Sequence, residues 1–181
     1  PLDDPPQPPS SMTLLLAVFA AAAAAQTPVQ DCPSDAAGVQ AALATALAAA
    51  NNRDTQGYQT ARDQLFTHMD CLTEVLPVAT SADIHVVLAI DSVGPGDTET
   101  LEGALRAYAV LRPDAPLDDR LKMSKKMREA AKTARQSEPS PTEPLPAGGR
   151  FWLDGSEAST WPTDRTAVLQ AEALDASERL W

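Results

Sequence analysis

The chain has 181 residues, enough for one domain, or one domain and a fragment of a second. Hydrophobic residues make up 44% but aromatics only 4%, and much of the apolar share is Ala. That excludes a bulky aromatic core and favours closely spaced helices, since Ala has the highest helix propensity. The formal charge of −11 argues against a general nucleic-acid binder, which needs a basic face to displace counterions.

Residues 1–11 (PLDDPPQPPSS) precede Met12, which reads as the natural initiator, and they are expected to form a disordered extension. Met12 opens MTLLLAVFAAAAAAQ. An apolar run from Leu14 to Ala25, then Gln26, with Ala23 and Ala25 as an A-x-A cleavage pattern, makes 12–26 a signal peptide. It is too short to span a bilayer, which takes about 20 apolar residues. No Lys or Arg follows Met12, and a buried Ala-rich helix is the competing reading. Val29-Gln30-Asp31 ahead of Cys32 is not a lipobox. The expected location is the periplasm or cell envelope of a bacterium.

Residues 27–136 carry the helical domain. Ser34 can cap a helix to about Asn51, with Val39, Ala42, Leu43, Ala46, Leu47 and Ala50 as one apolar stripe. After the turn Asn51-Asn52-Arg53-Asp54, a second helix runs from Thr55 to Cys71 with Tyr58, Ala61, Leu65, His68 and Leu72 on one face. Thr80 or Ser81 caps a third, Ala82 to Ser92. Its run from Ile84 to Ile90 is apolar on nearly every side, so it should be the most buried helix, with a strand as the competing assignment. Asp97 caps a fourth helix to Leu111, with Leu101, Ala104, Leu105 and Tyr108 inward, and Pro113 stops it. Asp118 caps a fifth through Gln136.

The two cysteines, Cys32 and Cys71, fall at the start of the first helix and the end of the second. An antiparallel hairpin brings those ends together, so a disulfide is expected. Closing that loop contributes about 3–4 kcal/mol on chain-entropy grounds, and it agrees with export. The alternative is a metal-binding protein in which His68, Cys71, His85 and Cys32 form a tetrahedron. No C-x-x-C pair supports a metal or redox role, so neither metal nor cofactor is expected.

From Ile84 to Pro113 the sequence resembles a tetratricopeptide repeat. Ala89 stands at the small crossing position, Gly96-Asp97 at the turn, Leu105 and Tyr108 at the second-helix positions, and Pro113 at the terminal Pro. Leu101 departs from the pattern, which usually has Ala there. The preceding hairpin matches loosely, Ala61 and Leu65 mirroring Leu101 and Leu105. The resemblance implies a mainly α fold of stacked hairpins and a closing helix. It also implies a binding groove lined by the first helix of each hairpin, with Asp83, His85 and Val86 as candidate groove residues.

Residues 120–135 (RLKMSKKMREAAKTAR) hold every lysine and carry seven basic residues against one acid. Lys122, Lys125 and Lys126 are candidate contacts to an anionic membrane surface or an acidic partner. The competing reading is a closing helix whose stripe of Met123, Met127, Ala130 and Ala134 faces inward. Residues 137–149, rich in Pro, Ser and Glu, read as a linker. In 150–181, Phe151-Trp152-Leu153 runs as a strand into the Asp154-Gly155 turn, with further strands at Trp161-Pro162 and Thr166–Gln170. This resembles the opening of a PEGA-type β module, truncated at Trp181. Ala171 to Leu180 could instead form a helix.

No phosphate loop, nucleophile elbow, H-E-x-x-H or kinase signature is present, and Gly94-Pro95-Gly96 is a turn with no following Lys-Ser/Thr. The expectation is a non-enzymatic scaffold of the periplasm or envelope that binds a protein or peptide partner and no nucleic acid. The alternative is an envelope-surface or anionic-membrane-associating protein that uses 120–135.

Overall fold

In the computed structural model, residues 35–117, 120–147, 149–173 and 179–180 are described. They belong to one compact unit, Cys32–Trp181. The expected N-terminal extension and expected signal peptide, together with Ser34, Cys32 and Asp118, lie outside the described residues.

Helix α1 (Ala36–Asn52) is capped by Asp35, whose carboxylate accepts from the Gly38 amide at 2.8 Å. Arg53 closes it in the left-handed region, φ 58°. Asp54 then caps α2 (Thr55–Asp70) through the Gly57 amide at 2.9 Å. Helix α3 is Val78–Val93, four residues longer at its start than expected. The reason is Pro77: it has no amide hydrogen to satisfy at a helix start, and its carbonyl accepts from the Thr80 and Ser81 amides. Thr80 and Ser81 are therefore buried helical residues, not caps. Asp97 caps α4 (Thr98–Leu111) through the Thr100 amide, as the sequence indicates.

Adjacent helices pair antiparallel, α1 with α2 and α3 with α4. Two apolar clusters result, and α3 serves both. Ile84 and Val87 join Val39, Leu43, Ala61 and Leu65 on one side. Ala82, Val86 and Ala89 join Leu101, Leu105 and Tyr108 on the other. The all-round apolar run of α3 is the sequence's record of that central position.

The fifth helix is shorter than expected. α5 is Lys125–Ala134, capped by Ser124 through the Met127 amide. Residues 120–123, just before it, form a non-helical strap across the end of α1, leaving a turn in which the Arg120 and Leu121 amides both donate to the Leu117 carbonyl at 3.0 Å. The Asn51 side chain donates to the Arg120 carbonyl at 2.9 Å and accepts from the Lys122 amide at 2.8 Å. Those peptide groups are satisfied outside a helix, so α5 starts only after them.

The C-terminal β segment forms two small sheets. β1 (Thr142–Pro144) pairs antiparallel with β4 (Thr160–Pro162), so part of the expected linker is strand. In the second sheet the order is β3 (Ser156–Glu157), β2 (Gly149–Leu153), β5 (Leu169–Ala173), β6 (Arg179–Leu180). The β2–β3 turn has positive φ at both Asp154 (51°) and Gly155 (83°), as a two-residue primed turn requires. Ala171 to Ala173 is strand, not the start of a helix.

Candidate functional site

Between α1 and α3 run two neighbouring depressions of about 380 and 300 Å³, both lined by Ala44, Leu47 and Arg120. Of the three candidate groove residues, Asp83 lines one depression and Val86 the other. His85, the third, is turned away, and the expectation for it is corrected. Asp83 holds Arg120 through two parallel contacts, 2.5 and 3.0 Å, with side chains 20% and 35% exposed. The paired carboxylate raises the guanidinium's already high pKa. Arg120 thus bridges the groove, and Leu121 and Met123 of the strap are buried beside it, as is Leu117.

His85 is fully buried at the junction of α3 with the β segment. Its Nε2 lies 2.7 Å from Asp154 Oδ1, and its Nδ1 lies 2.8 Å from Thr166 Oγ1. With the proton on Nε2, the ring donates to Asp154 while Thr166 donates to Nδ1; this assignment follows from the network. Asp154 also accepts from the Val168 amide at 2.9 Å and from Arg165 at 2.7 Å. Burial pushes the Asp154 carboxyl up, but hydrogen bonding from His85, and then from Val168 and Arg165, more than offsets this and holds it below its ordinary value. The line Asp154–His85–Thr166 has the residue types of a carboxylate–base–hydroxyl relay, yet the ring is enclosed and both nitrogens are engaged. It cannot join a metal tetrahedron without breaking this network. What the arrangement does is bind α3, the β2–β3 turn and the segment before β5 to one another.

The same junction uses Gln170, which accepts from the Leu76 amide and donates to the Glu74 carbonyl, and Arg106, which pairs with Asp164. A larger cleft of about 640 Å³ lies between α4 and the β segment, lined in part by Arg106, Val110, Leu153 and Arg165. Sequence reading missed this whole junction. The only local signal is the Asp154-Gly155 turn, which says nothing of where its carboxylate goes.

Lys122, Lys125 and Lys126 are exposed. Met127 and Ala134 are buried against the second apolar cluster, so the apolar stripe of α5 is not free to enter a membrane. No helix among the described residues is long and apolar enough to cross one. Cys71 caps α2 and is not a free thiol; its expected partner Cys32 lies outside the described residues. The chain matches no protein-family model, no curated protein and no solved structure.

Proposed function

We propose that the chain is a non-enzymatic scaffold of the bacterial periplasm or cell envelope, built of tetratricopeptide-like hairpins followed by a PEGA-like β segment. Its α1–α3 groove binds a protein or peptide partner. The observation that supports this reading is the groove itself. It has an aliphatic floor, a carboxylate at Asp83, and Asn51 at one end already gripping a backbone. Aliphatic contact gives area, while a few placed polar groups set register. The export signal and a Cys32–Cys71 disulfide belong to the same proposal.

One experiment tests it. The chain is exported by its own leader, thiols are alkylated without reductant, and a photo-crosslinking residue is placed at Ala44 or, as control, at exposed Thr67 on α2. The expected result is two unlabelled cysteines and a discrete adduct from Ala44 alone. Retention in the cytosol with both thiols labelled, or equal adducts from both positions, would refute the proposal.

A further inference from the structure

We propose that the strap of residues 120–123 is an intramolecular placeholder in the α1–α3 groove, and that the groove's partner is a peptide segment carrying an arginine beside an aliphatic residue. This rests on the groove being the binding surface, and it adds what binds there and how access is controlled.

Three features of the strap are those of a bound peptide. Asn51 takes the peptide groups on either side of Leu121, one as acceptor and one as donor. A side-chain amide used in this way grips a backbone without regard to sequence. Leu121 is 7% exposed and supplies the aliphatic anchor. Arg120 makes the paired, parallel contact with Asp83 that gives guanidinium–carboxylate recognition its directionality. Lysine has no fork and would fit less well. The charge balance agrees. Lifting Arg120 away leaves Asp83 as the one charged side chain among those lining the two depressions, on a chain of net charge −11. An arginine side chain is complementary to both.

The strap's polar hold is one side chain and one ion pair with both partners partly exposed. Such partly exposed pairs are modest in strength. Its apolar hold is Leu121 and Met123, buried in the second apolar cluster, and an incoming aliphatic residue has to take the place of Leu121. Because it is tethered, it competes at high effective concentration, so the intact chain shows an apparent affinity reduced by the fraction of time the groove is open.

The probe is a fluorescein-labelled peptide of residues 115–124 (APLDDRLKMS), read by anisotropy against the full chain. The Arg120→Ala chain, which keeps the groove but loses the strap's anchor, is expected to bind it at least tenfold more tightly than wild type. Asp83→Asn in that background should remove the gain, and a probe with Gln in place of its arginine should bind at least tenfold more weakly. Exposed Glu102→Gln is the control and should change nothing. Circular dichroism establishes that each variant is folded. Hydrogen exchange on wild type gives a second reading that needs no variant: saturating probe should expose the Lys122 amide that Asn51 now protects. Equal binding by wild type and Arg120→Ala, binding indifferent to Asp83→Asn, or an unchanged Lys122 amide would overturn the inference. If Ala44 crosslinks a partner that the probe does not displace, the groove reading stands and the placeholder falls.

Discussion

The helical hairpins and the β segment are held by different kinds of force. Helices α1, α2 and α4 have local caps: Asp35, Asp54 and Asp97 each bond an amide three residues on. The interior between the helices is aliphatic apart from Tyr58 and Tyr108. The β segment has short strands and, among the described residues, little core of its own: Trp152, Leu153, Pro162 and Val168 are buried there. It is fixed to the helices by a small set of buried polar bonds between residues far apart in sequence. A small sheet on its own is marginal. The order of the β segment is expected to depend on the helices more than theirs depends on it.

The sharpest way to break that contrast is to remove the carboxylate of Asp154. In Asp154→Ala, Arg165 loses its ion-pair partner and His85 loses the acceptor at Nε2, both in buried surroundings. Removing one member of a buried charged pair costs about 3–5 kcal/mol. The loss should fall on the β segment first. Trp152, 8% exposed, should become solvent-exposed by fluorescence at denaturant concentrations where helical circular dichroism is intact. Coincident loss of both signals would mean that helices and β segment form one cooperative unit.

Two glycines sharpen the same comparison. Gly96, in the α3–α4 turn, and Gly155, in the β2–β3 turn, have nearly equal positive φ, 78° and 83°. A Cβ on Gly96 meets nothing within 4 Å, but on Gly155 it would lie 2.2 Å from the Leu76 carbonyl oxygen and 2.8 Å from the Val78 amide. Gly96→Ala should therefore lose only the left-handed penalty, about 1 kcal/mol. Gly155→Ala adds a backbone clash and should lose about 2–4 kcal/mol in all, read as the difference in denaturant midpoint. Similar losses would mean that the β2–β3 turn does not press on the start of α3.

These examples also mark where sequence reading succeeds. Helix α4 is legible because its start signal, its apolar stripe and its stop, Pro113, lie within one short stretch. The hairpin turn at Asp154-Gly155 is legible for the same reason. The start of α3 is not: Thr80 and Ser81 have the chemistry of caps, and only burial, with Gln40 donating to Thr80 at 3.3 Å, shows that they are not used as such. Helix α5 starts after Ser124 and not at Asp118 because Asn51, 71 residues earlier than Lys122, takes the backbone between them. His85 reads as a groove residue because it sits between Asp83 and Val86 in sequence. Its partners Asp154 and Thr166 are 69 and 81 residues away, and no periodicity reports a contact of that kind.

Acid offers the gentlest test of the contrast, since it leaves every residue in place. Asp154 has a folded pKa held below its ordinary value. A depressed carboxylate contributes stability that is fully present above its unfolded pKa, about 3.9, and is lost as pH falls toward and through the lower folded value. Near neutrality the contribution is therefore constant. On acidification below about pH 4 the bonds from His85, Arg165 and Val168 lose their charged acceptor. The Asp97 carboxylate that caps α4, held low by its hydrogen bond from Thr100, also weakens there, but that bond is local and exposed. The β segment should come away first, with Trp152 fluorescence changing at a higher pH than helical circular dichroism. In Asp154→Asn, whose side chain tolerates positive φ and does not titrate, the β segment is weaker at every pH but has lost this acid step. If the fluorescence transition of Asp154→Asn keeps the wild-type acid dependence, docking of the β segment is controlled by another carboxylate and not by Asp154.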